Sequence, residues 1–184
     1  MTKSLQIEIL RLGHRLPRDE RISTHVALVA RAFGASSIVY SGQHDLGLEE
    51  SVLRICQNWG GKTSFGQFSI QYQKSFISHI KKRKSEGYCV VHLTMYGLKL
   101  NDVIGKIKES SKILIVLGSE AVPSEVYHLA DYNISITNQP HSEVAALAIV
   151  LDRLFDGKEL LGFDFEGKIA IEPQGRGKKI VEMR

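Results

Sequence analysis

Hydrogen-bonding chemistry is concentrated in three short loops of this chain. In the first, Asn138, Gln139, His141, Ser142 and Glu143 crowd one turn between a β-rich run at 132–137 and a helix that is apolar on almost every side. Pro140 stands near that helix start, where a missing N–H costs nothing. The second loop is Leu117-Gly-Ser-Glu-Ala-Val-Pro123. Its Gly118 follows a buried run and lets a backbone come close to a ligand. The third is His92-Leu-Thr-Met-Tyr-Gly97. Alone, each loop reads as a helix cap or as core. In succession at strand ends of a parallel sheet, the three share the carboxyl edge and converge on one ligand.

A second kind of chemistry lies near the N-terminus. Arg11, Arg15, Arg18 and Arg21 gather where a first strand ends and its helix begins, a density of guanidinium forks suited to phosphate. Lys81-Lys-Arg-Lys84 is a second basic run and reads as a solvated helix end. Tyr40, Tyr72 and Tyr96 have faces on which bases stack, although strand tyrosines mostly pack. The chain carries 24 Lys+Arg against 20 Asp+Glu, a net charge of +4, which permits a polyanionic partner without demanding one.

Several classes are excluded. No G-x-G-x-x-G follows a strand, and no G-x-x-x-x-G-K-[ST] or G-x-S-x-G is present. His79, His92, His128 and His141 lack the spacing of a zinc site, so no metal is expected. Cys56 and Cys89 sit in apolar contexts, which fits a reducing, cytoplasmic setting. No apolar run reaches the length of a membrane span, and the N-terminus reads as a strand rather than a signal peptide.

The elements that must position these loops alternate. Strands are expected at 6–12, 37–41, 68–73, 88–93 and 113–117, the last two as continuous apolar runs buried on both faces. Helices are expected at 21–33, 48–59, 76–84, 101–110 and 142–155. In the helix at 48–59, Val52, Leu53, Ile55 and Cys56 are expected inside, with Gly60-Gly61 as the stop. The pattern predicts an α/β fold with a mostly parallel sheet flanked by helices, covering residues 1–160. Residues 161–184 read as an appended β-hairpin, with runs at 168–173 and 178–183 joined by Gln174-Gly-Arg-Gly177.

Together these motifs resemble the SPOUT methyltransferases. Ile115-Val-Leu-Gly-Ser-Glu120 and Ile134-Ser-Ile-Thr-Asn-Gln-Pro-His-Ser-Glu-Val-Ala-Ala-Leu-Ala148 are similar to motifs two and three of that family. His25-Val-Ala-Leu-Val-Ala-Arg31 is similar to motif one, with His25 in place of its Asn and Arg31 in place of its functional Arg. More narrowly, Arg11-Leu-Gly-His-Arg15, Arg18-Asp-Glu-Arg21, Thr24-His-Val26 and Asn138-Gln-Pro-His-Ser-Glu-Val144 resemble the archaeal tRNA cytidine(56) 2′-O-methyltransferases. The chain departs from the wider family at His141-Ser-Glu-Val144, where Ser-Leu-Asn-Val is usual, and at Ala121, where glycine often stands.

The resemblance implies a deep trefoil knot in the C-terminal half and a homodimer with shared active sites. It implies S-adenosylmethionine held by Leu93, Thr94, Gly118, Ser119, Glu120, Ala121, Val122, Ile136, Thr137, Asn138, Gln139, Pro140, His141, Ser142 and Glu143. It implies transfer of a methyl group to a cytidine ribose of tRNA, with Arg31 acting on the 2′-hydroxyl and Arg15, Arg18, Arg21 and His25 on the tRNA. A knotted RNA methyltransferase with another target, or a non-catalytic RNA-binding module of the same fold, remains as an alternative. The helix at 142–155 adds its own reason for a homodimer, since a helix apolar all round needs cover on every side.

Overall fold

A computed structural model describes residues 5–118 and 121–183. Its elements run β1 (Gln6–His14), α1 (Glu20–Ala32), β2 (Ser37–Gly42), α2 (Leu46–Trp59), a minute hairpin β3 (Lys62–Thr63) and β4 (Gly66–Gln67), β5 (Ser69–Tyr72), α3 (Phe76–Ser85), β6 (Cys89–Lys99), α4 (Leu100–Ile107), β7 (Lys112–Gly118), α5 (Ser124–Leu129), β8 (Tyr132–Ser135) and α6 (Glu143–Phe155). A single 3-10 turn (Lys158–Leu161) leads to β9 (Ile169–Ile171) and β10 (Ile180–Glu182).

Six strands form one sheet in the order β5-β2-β1-β7-β6-β8, and every ladder is parallel. The central strands are covered twice. Ile7 and Ile9 of β1 face a core built with Val26 of α1, Val52 of α2, Val103 of α4 and Leu147 of α6. Leu10 and Leu12 face a second core with Ile80 of α3 and Val126 of α5. This is the double covering that continuous apolar strands require.

Two charged groups interrupt β1. Glu8 is 3% exposed and meets His79 Nε2 at 2.6 Å and Arg83 Nη2 at 2.6 Å, so α3 neutralises it. Arg11 is fully buried on the opposite face, toward α6. Both satisfy the rule that a buried charge keeps a partner.

The helix at 48–59 begins two residues earlier than expected, at Leu46, because Asp45 caps it by accepting from Leu48 N at 3.0 Å. That start turns Leu48 and Val52 inward. Leu53, expected inside, is 47% exposed, and Ile55 and Cys56 are half-buried. Pro123 holds the N-cap position of α5, and Pro140 lies before the cap of α6, which is Ser142.

The C-terminal strands pair antiparallel, with Ile180 opposite Ile171. Ahead of them the backbone at Phe165 takes hydrogen bonds from Gly61 N and Lys62 N. The approach is so close that a Cβ at Gly60, where φ is +78°, would lie 2.0 Å from Phe165 O. The hairpin segment is therefore tied to the end of α2.

Candidate active site

The site is built where β6, β7 and β8 end. β7 stops at Gly118, paired with Leu12 of β1. In β6, Leu93 and Leu98 both pair with Ile134 of β8, so residues 94–97 are extruded from the ladder. Gly97 makes this possible, since a Cβ there would lie 2.5 Å from the backbone of Asn133 and Ile134. From the turn after β8, Asn138 Nδ2 donates to the carbonyls of Met95 at 2.8 Å and Gly97 at 3.2 Å and holds the extruded segment.

Between these loops lies a cavity of about 570 Å³, a size that suits a cofactor. Of the residues expected at a cofactor, Leu93, Thr94, Gly118, Ala121, Val122, Pro140, His141 and Glu143 line it. Asn138 shapes its wall from behind, Ser142 is spent capping α6, and Ile136 packs on the core. Thr137 and Gln139 are exposed outside it, and Ser119 and Glu120 lie outside the described residues. His92, Met95, Tyr96, Leu117, Tyr127 and Ala146 complete the lining. The cofactor set expected from the sequence leaves these out, although His92, Met95 and Tyr96 belong to the third loop, Leu117 opens the second and Ala146 lies in the motif-three stretch; Tyr127 alone carried no signal.

His92 is fully buried, and its tautomer follows from its neighbours. Asn133 Nδ2 donates to Tyr127 O at 2.9 Å, so its Oδ1 accepts from His92 Nδ1 at 2.9 Å. Nε2 then carries a lone pair, and it has no hydrogen-bond partner among the described residues. The ring packs edge-on against Tyr127. Burial pulls the His92 pKa down against the hydrogen bond to Asn133, which keeps the ring neutral. Across the cavity, Glu143 Oε1 accepts from Arg11 Nη2 at 3.0 Å. Burial pushes the Glu143 pKa up, against the pull of Arg11.

The basic residues divide. Arg15 lines a neighbouring cavity that shares Gly118, Ala121 and Val122 with the first, so it stands beside the loop meeting point. Arg21 and His25 instead line a groove between α1 and α2, with Thr24 and Ser51. Arg18 is exposed in the segment between β1 and α1. A buried network fixes this segment. His14 contacts Ser23 Oγ at 2.7 Å and Asp45 Oδ2 at 3.1 Å, joining the end of β1 to both helices.

Arg31 does not join the site. It is 8% exposed near the end of α1, donating from Nε to Gly60 O and from Nη2 to Trp59 O, both at 2.7 Å, with its Cζ 4.5 Å from the Phe165 ring centroid. Within the protomer it acts as a clamp between α1, the end of α2 and the C-terminal segment. Its forks are spent on carbonyls that the end of α2 leaves open.

Comparison with known proteins supplies the family. The model described as "tRNA ribose 2′-O-methyltransferase, aTrm56" matches residues 59–181. The tRNA (cytidine(56)-2′-O)-methyltransferase of Methanocaldococcus jannaschii is 51% identical over 179 residues, 95% of this chain and 96% of that protein. The enzyme of the same name from Methanosphaera stadtmanae is 46% identical, covering 96% of this chain and 98% of that one. Among solved structures, the "A. aeolicus TrmH/SpoU tRNA modifying enzyme" superposes with a TM-score of 0.62 at 16% identity, over 87% of this chain and 79% of that one. AviRb from Streptomyces viridochromogenes, solved in complex with AdoMet, gives 0.58 at 15% identity, over 86% and 59%. At these identities the structures speak for the fold.

Proposed function

Because the chain belongs to the tRNA ribose 2′-O-methyltransferase family, we propose that it transfers a methyl group from S-adenosylmethionine to the ribose 2′-hydroxyl of cytidine 56, in the T-loop of tRNA. The observation that carries this reading is the meeting of the β6, β7 and β8 loops in one cavity, in a chain about half identical to such enzymes along nearly its whole length.

The cavity fits the cofactor. Leu93, Leu117, Val122 and Ala146 offer apolar walls, and His92 Nε2 is a buried acceptor waiting for an N–H or O–H donor. Gly118 and the extruded segment of β6 bring backbone within reach. When bound, S-adenosylmethionine supplies an electrophilic methyl group on a sulfonium. The protein's part is to hold the 2′-hydroxyl in line with that methyl, to exclude water and to take the hydroxyl proton. Arg15, beside the shared wall, is placed to grip a phosphate of the incoming strand, and Arg18, Arg21 and His25 extend the basic surface along α1.

Two finer parts belong to this proposal. A trefoil knot in the C-terminal half is supported by the strand order, in which β7 inserts between β1 and β6 although it follows β6 in sequence. A homodimer is supported by α6, which leaves Ala145 and Ile149 on its outer face, Ile149 at 42% exposure, with Leu160 and Leu161 exposed just beyond it.

The test is calorimetric titration with S-adenosylmethionine, followed by methyl transfer to an unmodified tRNA transcript and mapping of the product. We expect 2′-O-methylation at cytidine 56 and none in a transcript with uridine there. Binding without modification at that nucleotide overturns the substrate; no binding overturns the cofactor.

A further inference from the structure

We propose that the carboxylate of Glu143 accepts the proton of the ribose 2′-hydroxyl and that Arg11 positions it. This rests on the cofactor reading above and gives the hydroxyl proton an acceptor within the cavity itself. Glu143 is the only carboxylate lining the cavity among the described residues. Its side chain sits in the first turn of α6, where the helix N-terminus favours an anion.

The pairing with Arg11 is incomplete in an informative way. Arg11 is fully buried and reaches Glu143 through a single contact, Nη2 to Oε1 at 3.0 Å. Among the described residues Glu143 Oε2 has no hydrogen-bond partner, and neither do Arg11 Nε and Nη1. A guanidinium and a carboxylate in contact normally close a two-point fork. Here one carboxylate oxygen is anchored and the other is left without a donor, at the cost of an unsatisfied buried acceptor. A hydroxyl presented in the cavity supplies the missing donor.

The surroundings connect this carboxylate with the basic residues ahead of α1. Asp19 lies close enough to push the Glu143 pKa up, adding to burial, and Asp19 Oδ2 accepts from Arg15 N at 3.1 Å and Arg15 Nε at 3.2 Å. Arg15 in turn lines the adjoining cavity. Arg15, Asp19, Glu143 and Arg11 thus run from the basic surface into the cofactor cavity. His92, whose Nε2 is a buried acceptor, stands against Tyr127 of α5 on the opposite side of the sheet from Arg11. Arg11 from β1 and Asp19 ahead of α1 set the titration of Glu143 together with burial, and His92 and His141 share the cavity lining with it.

The step balances. The ribose 2′ oxygen bonds to the methyl carbon while the sulfur–carbon bond breaks, its electron pair staying on sulfur. The O–H proton goes to Glu143, which becomes a neutral carboxyl and returns the proton to solvent after product leaves. No further reactant is required.

The experiment compares wild type with Glu143→Gln and Arg11→Gln, by calorimetry with S-adenosylmethionine and by single-turnover methyl transfer over a range of pH. Glu143→Gln keeps the size and can still accept from Arg11. We expect its cofactor affinity to stay within about threefold of wild type, while its rate falls about 10²–10⁴-fold and loses the acid limb of the pH profile. In Arg11→Gln the acid limb moves to higher pH, because the cation that holds the Glu143 pKa down is gone; a purely structural role would lower the rate without moving it. Arg11→Lys, which keeps the charge, restores the limb toward its wild-type position and covers the case in which Arg11→Gln does not fold. Glu143→Gln with a near-normal rate overturns the proposal. So does a weakened cofactor affinity whose rate recovers at saturation, since Glu143 would then be a cofactor ligand. Wild type failing to bind S-adenosylmethionine is a different outcome, and removes the cofactor reading together with this one.

Discussion

Arg31 Nε donates to the carbonyl of Gly60 at 2.7 Å, closing the last turn of α1 onto the end of α2. With Trp59 O on Nη2 and the Phe165 ring over the guanidinium, one side chain joins two helices and the C-terminal segment. We expect Arg31→Ala to act on stability. Two charge-assisted bonds vanish and two carbonyls lose their partner, a loss of about 3 kcal/mol. Thermal denaturation should show a fall of roughly 5–10 °C. Single-turnover transfer by the folded variant should stay within about tenfold of wild type. A drop of several orders of magnitude in a variant of unchanged stability would return Arg31 to the chemistry.

Gly97 is the residue that lets β6 leave its ladder. Any side chain there meets the backbone of β8, which cannot yield as a flexible side chain would. Gly97→Ala should displace the wall carrying Met95 and Tyr96 and weaken S-adenosylmethionine binding by about tenfold or more, read by calorimetry. Gly105→Ala, at a position with open space around the added carbon, serves as the control and should bind normally.

His92 gives a pH signature. Burial lowers its pKa below the ordinary value of about 6.5. The neutral ring, with Nε2 as acceptor, is therefore kept as pH falls through that value and is lost only at lower pH. Cofactor affinity should be flat from about pH 8 to pH 6.5. A midpoint near 6.5 that disappears in His92→Gln would show that the ring titrates as if exposed.

The outer face of α6 tests the dimer. Ile149→Glu puts a charge where an apolar partner is proposed, and an unpaired charge in such an interface is strongly unfavourable. Sedimentation should give a dimer for wild type and a monomer for Ile149→Glu at micromolar concentration. A wild-type monomer would remove the shared active site from the proposal.

The alternation of elements was legible because it depends on local signals. The apolar runs of β6 and β7, the cap at Ser142 and the stop at Gly60 each lie within a few residues of what they control. The three loops were legible as a group for the same reason. A parallel sheet sends successive strand ends to one edge, and the cavity lies there.

What the sequence determined by itself was the fold class, the loop set and, through its motifs, the family. What the tertiary structure decided was the partner of each charged group. Arg11 and Glu143 are 132 residues apart, and Arg31 and Gly60 are 29 apart. No spacing rule links such pairs. Which guanidinium meets Glu143 depends on the side of the sheet from which β1 presents Arg11, and which meets the end of α2 depends on how closely the C-terminal segment approaches it. Arg31 sits on a helix whose pattern is ordinary, while Arg11 sits in a strand where a charge must be buried. Burial without solvent forces a charge to find its partner across the fold, so the partners of these two arginines were settled by packing.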